Sequence, residues 1–433
     1  MLDRLVLVVV LLAVAATCGA VAAAASWAPS RWVSGDGWSA ADWPGVAVDR
    51  DGNALLVWPA SDERLPGGSY RIQARAQSRS GRLGPILNLS ELGPAPAWPE
   101  VAADDHGDAI VAWQQNDGQT NWRIAARRVG RRGAVGPILI LSAEGAIGNS
   151  PQVAIAPRGQ AVVAWTEYRD GTWHTVASRV SARGAVGGPL DLGPGSAEPP
   201  ALTMDRRGIA TVAWTNLQRV VARRITSRAV SAPRVIASAT PSASGLALVH
   251  AVADRDGDVL VGFRSGSGAR PRVWIRRWRR SGALGRLLAV SPSWQSADLH
   301  LALATDGQGD ATIVWTRALG SEPLAVFGRS VSRTDALGRV VRLGSGDRPD
   351  VAVDANGDGI VVWQDPGADG TTAVRSRTVA RGGGFGPVRA ITLDGRVPRA
   401  TVDPGGRVVA VWQRATYPYR IGMRSGAGPR SSR

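Results

Sequence analysis

The chain has 433 residues and a formal net charge of +16, which comes from 51 basic side chains, all of them arginine, against 35 acidic ones. Its single cysteine, Cys18, excludes an internal disulfide framework. A chain of this length can bury enough surface to be stable without such cross-links.

The first 25 residues have the pattern of a secretory signal peptide. A charged start precedes an apolar run over residues 5–16, and small residues suited to cleavage follow. We therefore predict that residues 1–25 are removed and that the protein is secreted or held in the cell envelope. Two alternatives keep it on a membrane: residues 5–25 are long enough to remain as an anchor, and the segment ending at Cys18 faintly resembles a bacterial lipoprotein box.

A frame of about fifty residues recurs eight times after this leader. Each copy has an apolar run ending in Asp, two variable residues, a Gly, and a second apolar run whose last residue is an aromatic six positions after the Gly. The glycines are Gly52, Gly107, Gly159, Gly208, Gly257, Gly309, Gly357 and Gly406. The residues three before them are Asp49, Asp104, Ala156, Asp205, Asp254, Asp306, Asp354 and Asp403. The aromatics are Trp58, Trp113, Trp165, Trp214, Phe263, Trp315, Trp363 and Trp412.

Each unit is typical of four short β-strands. Asp-x-x-Gly between two apolar runs favours a hairpin turn, because Asp caps its own backbone and Gly supplies the positive φ. In the second unit the following runs are residues 109–113, 123–128 and 137–142, with a Gly-rich turn at 133–137. Repeats of four strands favour propeller blades, so we predict an all-β, eight-bladed β-propeller. A solenoid of the same units is the alternative, and it would need capping repeats.

The ends of the repeat array predict how the ring closes. The last unit stops after its third strand, while residues 30–34 before the first unit look like an unpaired fourth strand. Pairing this N-terminal strand with the last blade would remove two open sheet edges. We therefore assign residues 26–425 to the propeller and residues 426–433 to a disordered tail, and we expect a monomer.

The first hairpin of each unit resembles the NHL class of propeller repeat. The first unit reads Pro-Gly-Val-Ala-Val-Asp at residues 44–49, then Gly52 and Asn53, with Arg-Ile-Gln at 71–73. The frame is also similar to the Asp-box of sialidase-like propellers, although here Asp to Gly is three residues and Gly to Trp is six. The resemblance implies a ring of four-stranded blades, and with the leader we expect a bacterial, secreted protein. It implies no activity, since propellers include enzymes and pure binding scaffolds.

Arginine recurs at two positions of the third strand and its following turn. One set is Arg75, Arg127, Arg276, Arg329 and Arg377, and a second set lies four residues later at Arg79, Arg131, Arg280, Arg333 and Arg381. Their end of the ring should also carry the repeated Asp residues, so we expect a girdle of Asp–Arg pairs. The alternative is a basic face for an anionic polymer, either a cell-wall polymer or an acidic polysaccharide. No nucleic-acid-binding motif is present, so no nucleic-acid partner is expected.

Candidate binding residues lie in the connections at the other end of the ring. These connections join second to third strands and fourth strands to the next blade, and they carry aromatics that do not recur. Aromatic side chains mixed with carboxylates and arginine suit a sugar or peptide ligand. The alternative is that these side chains only fill the mouth of the ring. The candidates are Trp98, Asp117, Trp122, Glu167, Tyr168, Asp170, Trp173, His174 and Trp294.

Evidence for catalysis or a cofactor is thin. The four histidines have no metal-ligand spacing, and there is no Gly-x-Ser-x-Gly elbow. We expect no cofactor, although Asp354, Asn356 and Asp358 have the spacing of a Ca²⁺ loop. These residues also belong to the shared hairpin frame, where other copies lack the ligands.

The sequence predicts an extracellular binding module for a glycan or protein ligand. The first alternative is a glycan-cleaving hydrolase or lyase with a site in the axial pocket. The second is a structural envelope protein that binds anionic wall polymer through its arginines. Membrane contact is expected only through a retained leader or a lipid anchor.

Overall fold

A computed structural model describes residues 26–35, 39–40, 43–62, 69–94, 96–116, 121–239, 245–265, 271–292, 300–319, 322–367 and 370–428. The predicted leader and the candidates Asp117 and Trp294 lie outside the described residues. Among the residues described, no helix is long and apolar enough to span a membrane.

The described chain is all β and forms eight antiparallel sheets that follow one another in sequence. Two short strands come first: β1 (Ser26–Trp27) and β2 (Arg31–Trp32). Blade 1 contains β3 (Ser39–Ala40), β4 (Gly45–Val48), β5 (Ala54–Asp62), β6 (Ser69–Gln77), β7 (Leu83–Asn88) and β8 (Gly93–Pro94). Blade 2 contains β9 (Ala97–Ala103), β10 (Ala109–Asn116), β11 (Trp122–Val129) and β12 (Val135–Ile140). Blade 3 contains β13 (Ile147–Ile155), β14 (Ala161–Arg169), β15 (Thr172–Val180) and β16 (Leu190–Pro194). Blade 4 contains β17 (Ala201–Met204), β18 (Ala210–Thr215), β19 (Arg219–Ile225) and β20 (Arg234–Ser238).

The remaining blades repeat this order of strands. Blade 5 contains β21 (Leu246–Ala253), β22 (Val259–Ser265), β23 (Arg272–Trp278) and β24 (Leu288–Ala289). Blade 6 contains β25 (Leu301–Thr305), β26 (Ala311–Leu319), β27 (Glu322–Val331) and β28 (Val341–Ser345). Blade 7 contains β29 (Asp347–Val353), β30 (Gly359–Pro366), β31 (Thr372–Ala380), β32 (Gly384–Phe385) and β33 (Arg389–Thr392). Blade 8 contains β34 (Arg396–Val402), β35 (Arg407–Gln413) and β36 (Ile421–Ala427).

The N-terminal strands close the ring, as the sequence predicted. Both β1 and β2 pair with β36 and supply the missing outer strand of blade 8. The innermost strands also contact one another around the axis, and β34 of the last blade reaches β4 of the first. The predicted eight-bladed propeller is therefore confirmed. Its last strand extends to Ala427, two residues beyond the predicted end of the propeller.

The repeated Asp-x-x-Gly frame forms the turn between the first two strands of a blade. In blade 2, Oδ1 of Asp104 accepts the backbone amides of His106 and Asp108 at 2.9 and 3.0 Å. Gly107 has a φ of 86°. A Cβ at Gly107 would also lie 2.7 Å from Oδ2 of Asp49, the equivalent carboxylate of blade 1. Both the turn and the close approach of the neighbouring blade therefore require glycine.

The repeated aromatic residue is the centre of every interface between blades. All eight side chains are buried, with at most 2% of their surface exposed. Trp113 packs against Leu55, Val57 and Ile72 of the preceding blade. Trp58 does the same with Val409 across the closing seam. Eight such apolar clusters, one per interface, complete the ring.

Four of the five arginines in the first set tie their blade to the preceding one through carbonyl groups. Arg329 donates from Nε to Gly338 O of its own blade and from Nη1 to Val290 O of the preceding blade, both at 2.7 Å. Arg75, Arg127 and Arg276 make the same pair of contacts. The expected girdle of Asp–Arg pairs is therefore wrong for these arginines. Buried carbonyl oxygens that lack a partner are costly, and a guanidinium has enough donors to satisfy two at once.

The second set of repeated arginines contributes a backbone contact. The amide nitrogens of Arg131, Arg280 and Arg333 donate to the carboxylates of Asp108, Asp258 and Asp310, one residue after the turn glycine. These bonds join the first-to-second turn to the third-to-fourth turn. The two turns therefore lie at one end of the ring, and the variable connections lie at the other.

We predict that Trp113→Ala lowers the free energy of unfolding by about 3–5 kcal/mol, because it opens a cavity between blades 1 and 2. Trp113→Phe, which copies Phe263 of blade 5, is the matched control and should cost less. Chemical denaturation monitored by circular dichroism measures both variants. An alanine variant as stable as the parent would contradict the assigned interface.

Candidate functional site

A cavity of about 430 Å³ opens on the axis at the end of the ring that carries the variable connections. Its walls are the beginnings of the innermost strands of blades 1, 2, 3, 7 and 8, with Pro199 just before β17 of blade 4. This volume lies within the range of pockets that hold small ligands. The cavity is therefore the first place to look for a site.

A recurring backbone irregularity shapes the mouth of this cavity. The residue six before the repeated Asp has a positive φ in six blades, and the pairing of the first two strands shifts register there in most of them. A bulge at this point redirects the following side chains. A positive φ costs a non-glycine residue about 1–3 kcal/mol, and such residues concentrate at functional sites. The six are Trp43 (73°), Trp98 (49°), Ser150 (50°), Leu248 (52°), Arg348 (50°) and Val397 (49°).

Two residues after the bulge, each blade places one residue at the same level around the axis. We call these eight residues the axial layer. Blades 1, 4 and 6 contribute small residues, and the other five contribute polar or charged ones. In blade order the layer is Gly45, Glu100, Gln152, Ala201, His250, Ala302, Asp350 and Arg399. The layer is thus polar on some sides and open on others.

Two carboxyl groups of the axial layer face the same guanidinium. Burial raises the pKa of Glu100 and of Asp350, and the charge of Arg399 opposes that rise in both. Asp350 Oδ2 also accepts the amide of Ala400 at 2.9 Å. Both carboxyls are partly accessible from the cavity, but the surrounding protein governs their titration.

His250 belongs to the same layer and is neutral at neutral pH. Burial, together with the nearby Arg399 and His300, lowers the pKa of His250 to about 4. Its imidazole therefore offers one donor and one acceptor rather than a charge. His300, just before β25 of blade 6, has its Nδ1 2.8 Å from Oδ1 of Asp347, the first residue of β29 in blade 7. The pKa of Asp347 is lowered because these contacts outweigh the effect of its burial.

Two indole rings stand at the rim of the cavity. Trp98 is 41% exposed, a large fraction for a tryptophan, and it lines the opening. Trp43 lines the same opening and lies under the Arg348 guanidinium, whose carbon is 4.9 Å from the ring centre. Flat apolar faces above a layer of hydrogen-bonding groups suit a ligand with apolar faces and many hydroxyls. A carboxyl with a raised pKa can also donate a proton.

Of the predicted residues that the structure describes, only Trp98 is among those that line this cavity. Trp122 begins β11 and is half-buried, and Asp170 sits in the β14–β15 turn with a φ of 50°. The structure brings Glu167, Tyr168, Trp173 and His174 together on the β14–β15 hairpin of blade 3. Whether these residues bind a ligand stays a prediction.

The blade 3 hairpin is held together by its own charges. Buried Glu167 accepts the indole N–H of Trp165 at 3.0 Å and pairs with Arg169 at 3.3 Å. Arg169 also pairs with Asp191, whose Oδ2 lies 3.1 Å from Nδ1 of His174. These groups satisfy one another within the blade, so the network orders the hairpin. Beside it, the rings of Tyr168 and Trp173 pack with centroids 5.2 Å apart.

The residues with Ca²⁺-loop spacing act as a turn cap. Asp354 Oδ1 accepts the amides of Asn356 and Asp358 at 2.8 and 3.0 Å, and Asp358 Oδ1 accepts the amide of Arg381. Within the part of the chain that the structure describes, no group of three His, Cys, Asp or Glu side chains could hold a metal ion.

Sequence reasoning assigned none of the axial layer to the site, although the repeat contained a signal for it. Aligned on the repeated Asp, the position four residues earlier holds Glu100, Gln152, His250, Asp350 and Arg399. These five residues occupy the same position in five blades but are chemically different. They therefore lie at equivalent places in the ring without performing the same structural role in each blade. Only the closed ring shows that this position faces the axis.

We predict that Glu100→Gln raises the melting temperature at pH 7. A carboxyl whose folded pKa is raised contributes stability that is present below its unfolded pKa, near 4, and lost as pH rises through the folded pKa. Glutamine cannot ionise, so the variant does not lose this stability at pH 7. Its higher melting temperature relative to the parent should therefore shrink as the pH falls to about 4. Thermal unfolding across this pH range measures it, with exposed Glu144→Gln as the control. A lower melting temperature at pH 7 would contradict the assignment.

No protein-family model matches the chain, and comparison with curated proteins gives no match. Among solved structures it is similar to a lectin from Burkholderia pseudomallei, at 14% identity and a TM-score of 0.55, over 81% of this chain and 98% of the lectin. An ulvan lyase has 9% identity and a TM-score of 0.51, over 86% of this chain and 90% of the lyase. Another polysaccharide lyase has 8% identity and a TM-score of 0.50, over 78% of this chain and 91% of the lyase. These similarities establish a shared β-propeller fold, in a group that contains both glycan-binding and glycan-cleaving proteins.

Proposed function

We propose that this protein is a secreted carbohydrate-binding propeller that takes a glycan into its axial cavity. The observation that carries the proposal is the combination of two accessible indoles, Trp43 and Trp98, above a layer of Glu100, Asp350 and Arg399. Sugars have apolar faces that stack on indole rings and hydroxyls that pair with carboxylates and guanidinium groups. A protein ligand is the less favoured partner, because a cavity of about 430 Å³ suits a small ligand better than a protein surface.

The comparisons support this proposal only at the level of the fold. The solved structures described as a lectin and as polysaccharide lyases share the propeller, at 8–14% identity. The secretory pattern of residues 1–25 supports a ligand outside the cell, and the proposal takes the protein to be bacterial and monomeric. The repeated arginines lend little support to a wall-polymer role, because several of them already bind backbone carbonyls.

The test of the proposal is Trp98→Ala, measured against a glycan array and then by calorimetry with the best-binding oligosaccharide. Losing an exposed stacking surface should weaken binding by about tenfold or more, with little effect on stability. Tyr168→Ala in the blade 3 hairpin is the control, since its side chain is similarly exposed at 38%. Affinity lost with Tyr168→Ala but kept with Trp98→Ala would move the site to that hairpin.

A second candidate function is cleavage of the glycan. The observation that favours it is a pair of carboxyl groups with raised pKa values in one cavity, Glu100 and Asp350, since a protonated carboxyl is the usual acid in glycoside hydrolysis. Here Glu100→Gln should lower turnover by about a hundredfold or more, a much larger loss than the change in affinity, because the amide keeps an oxygen acceptor for a sugar hydroxyl. The assay is release of reducing or unsaturated ends from a panel of polysaccharides. Absence of turnover by the parent protein would leave the binding function.

A further inference from the structure

The two most exposed large apolar side chains described in the structure occur together at the junction of blades 7 and 8. Leu393 is 70% exposed and Tyr417 is 64% exposed, and Trp32 nearby is 43% exposed. Leu393 lies in the connection between β33 and β34, and Tyr417 lies in the connection between β35 and β36. Both connections belong to the end of the ring where the axial cavity opens. We call Trp32, Leu393, Tyr417 and Tyr419 the blade 8 platform.

A single carboxylate fixes this platform in place. Asp394 Oδ2 accepts Nε of Arg414 at 2.8 Å and the hydroxyl of Thr416 at 2.7 Å, while Oδ1 accepts the amides of Ala415 and Thr416, both at 3.0 Å. These four bonds outweigh burial and lower the pKa of Asp394. The connection that carries Leu393 is therefore docked on the one that carries Tyr417. Such an ordered surface loses little entropy when a ligand binds.

Arginine side chains lie over the rings of the platform. The guanidinium carbon of Arg396 is 5.0 Å from the centre of Tyr419, and its Nε donates to Gln413 Oε1 at 2.7 Å. Arg414 lies 5.9 Å from the centre of Trp32. Arg420 lies in the same connection as Tyr417 and Tyr419. The platform therefore combines apolar faces with arginine side chains.

One strand connects the platform to the axial cavity. β34 begins with Arg396 at the platform and places Arg399 in the axial layer three residues later. At about 3.3 Å per residue, this separation is roughly 10 Å along the strand. A chain of sugar residues that occupies the cavity can therefore continue onto the platform.

We propose that the blade 8 platform is a second subsite, which binds the continuation of an anionic polysaccharide whose other part occupies the axial cavity. This inference rests on the proposed function. The rings of the platform stack on sugar faces, and Arg396 and Arg414 meet carboxylate or sulfate substituents through charge-assisted hydrogen bonds. The ligand class is thus an acidic polymer, with the platform supplying selectivity for both chain length and charge.

The test compares chain lengths in an acidic and a neutral series. The probes are galacturonate oligomers of two and eight residues and cellulose-derived oligomers of the same lengths, titrated by calorimetry. The parent protein should bind the galacturonate octamer about tenfold or more tightly than the dimer. The double variant Leu393→Ala, Tyr417→Ala should lose that gain and keep the dimer affinity. Leu217→Ala, a change of an exposed side chain in the equivalent connection of blade 4, is the matched control.

Each result decides the matter. A length-dependent gain that survives the double variant overturns the platform, and so does its absence in the parent. An equal gain in the neutral series overturns the selectivity for acidic chains. If sedimentation velocity shows a dimer of the parent that the double variant dissociates, the surface is a contact between copies of this chain instead. Trp98→Ala separates the two proposals: it should weaken the dimer and the octamer alike, and failure to do so counts against the axial site alone.

Discussion

The structure depends on one contact repeated eight times, the packing of the repeated aromatic residue of each second strand against the preceding blade. An isolated four-stranded sheet of this composition would expose an apolar face, and each blade covers the face of its neighbour. Because the contact points in one direction around the axis, the array has to close on itself or leave one aromatic uncovered. Trp58 is that residue, and it packs against Val409 of β35, Ile421 of β36 and Val33 beside β2.

Arginine side chains supply polar contacts between adjacent blades. Adjacent blades bring the ends of their strands together, and carbonyl groups there have no partner within the sheet. A guanidinium bridges two of them from different blades, as Arg329 does between Gly338 and Val290. A lysine ammonium could also donate to two carbonyl groups, but its flexible side chain would hold them in a less fixed geometry. Much of the unusual arginine content therefore serves the scaffold, so the net charge alone is a poor guide to the ligand.

The sequence was enough to predict the eight blades, their four strands and the closing strand, because these follow from a pattern in which every copy agrees. The site was not predictable in the same way. Trp98 was found because a non-repeating aromatic is visible in the sequence, but Glu100, Asp350 and Arg399 are far apart in the chain and meet only across the axis. The expected Asp–Arg pairs were wrong for the first set of arginines. Residue spacing shows which side chains share an end of the ring, but it does not show which backbone carbonyl groups lack a partner there and bind those arginines instead.

The central claim is that the working surface lies on the axis, and hydrogen–deuterium exchange tests it most directly. The measurement compares the free protein with the protein saturated by the tightest-binding oligosaccharide from an array. The account predicts slower exchange in peptides that cover the starts of the innermost strands, especially 97–103 and 396–402, and unchanged exchange in the blade 3 hairpin at 164–175. Protection confined to that hairpin, with the innermost strands unaffected, would contradict it.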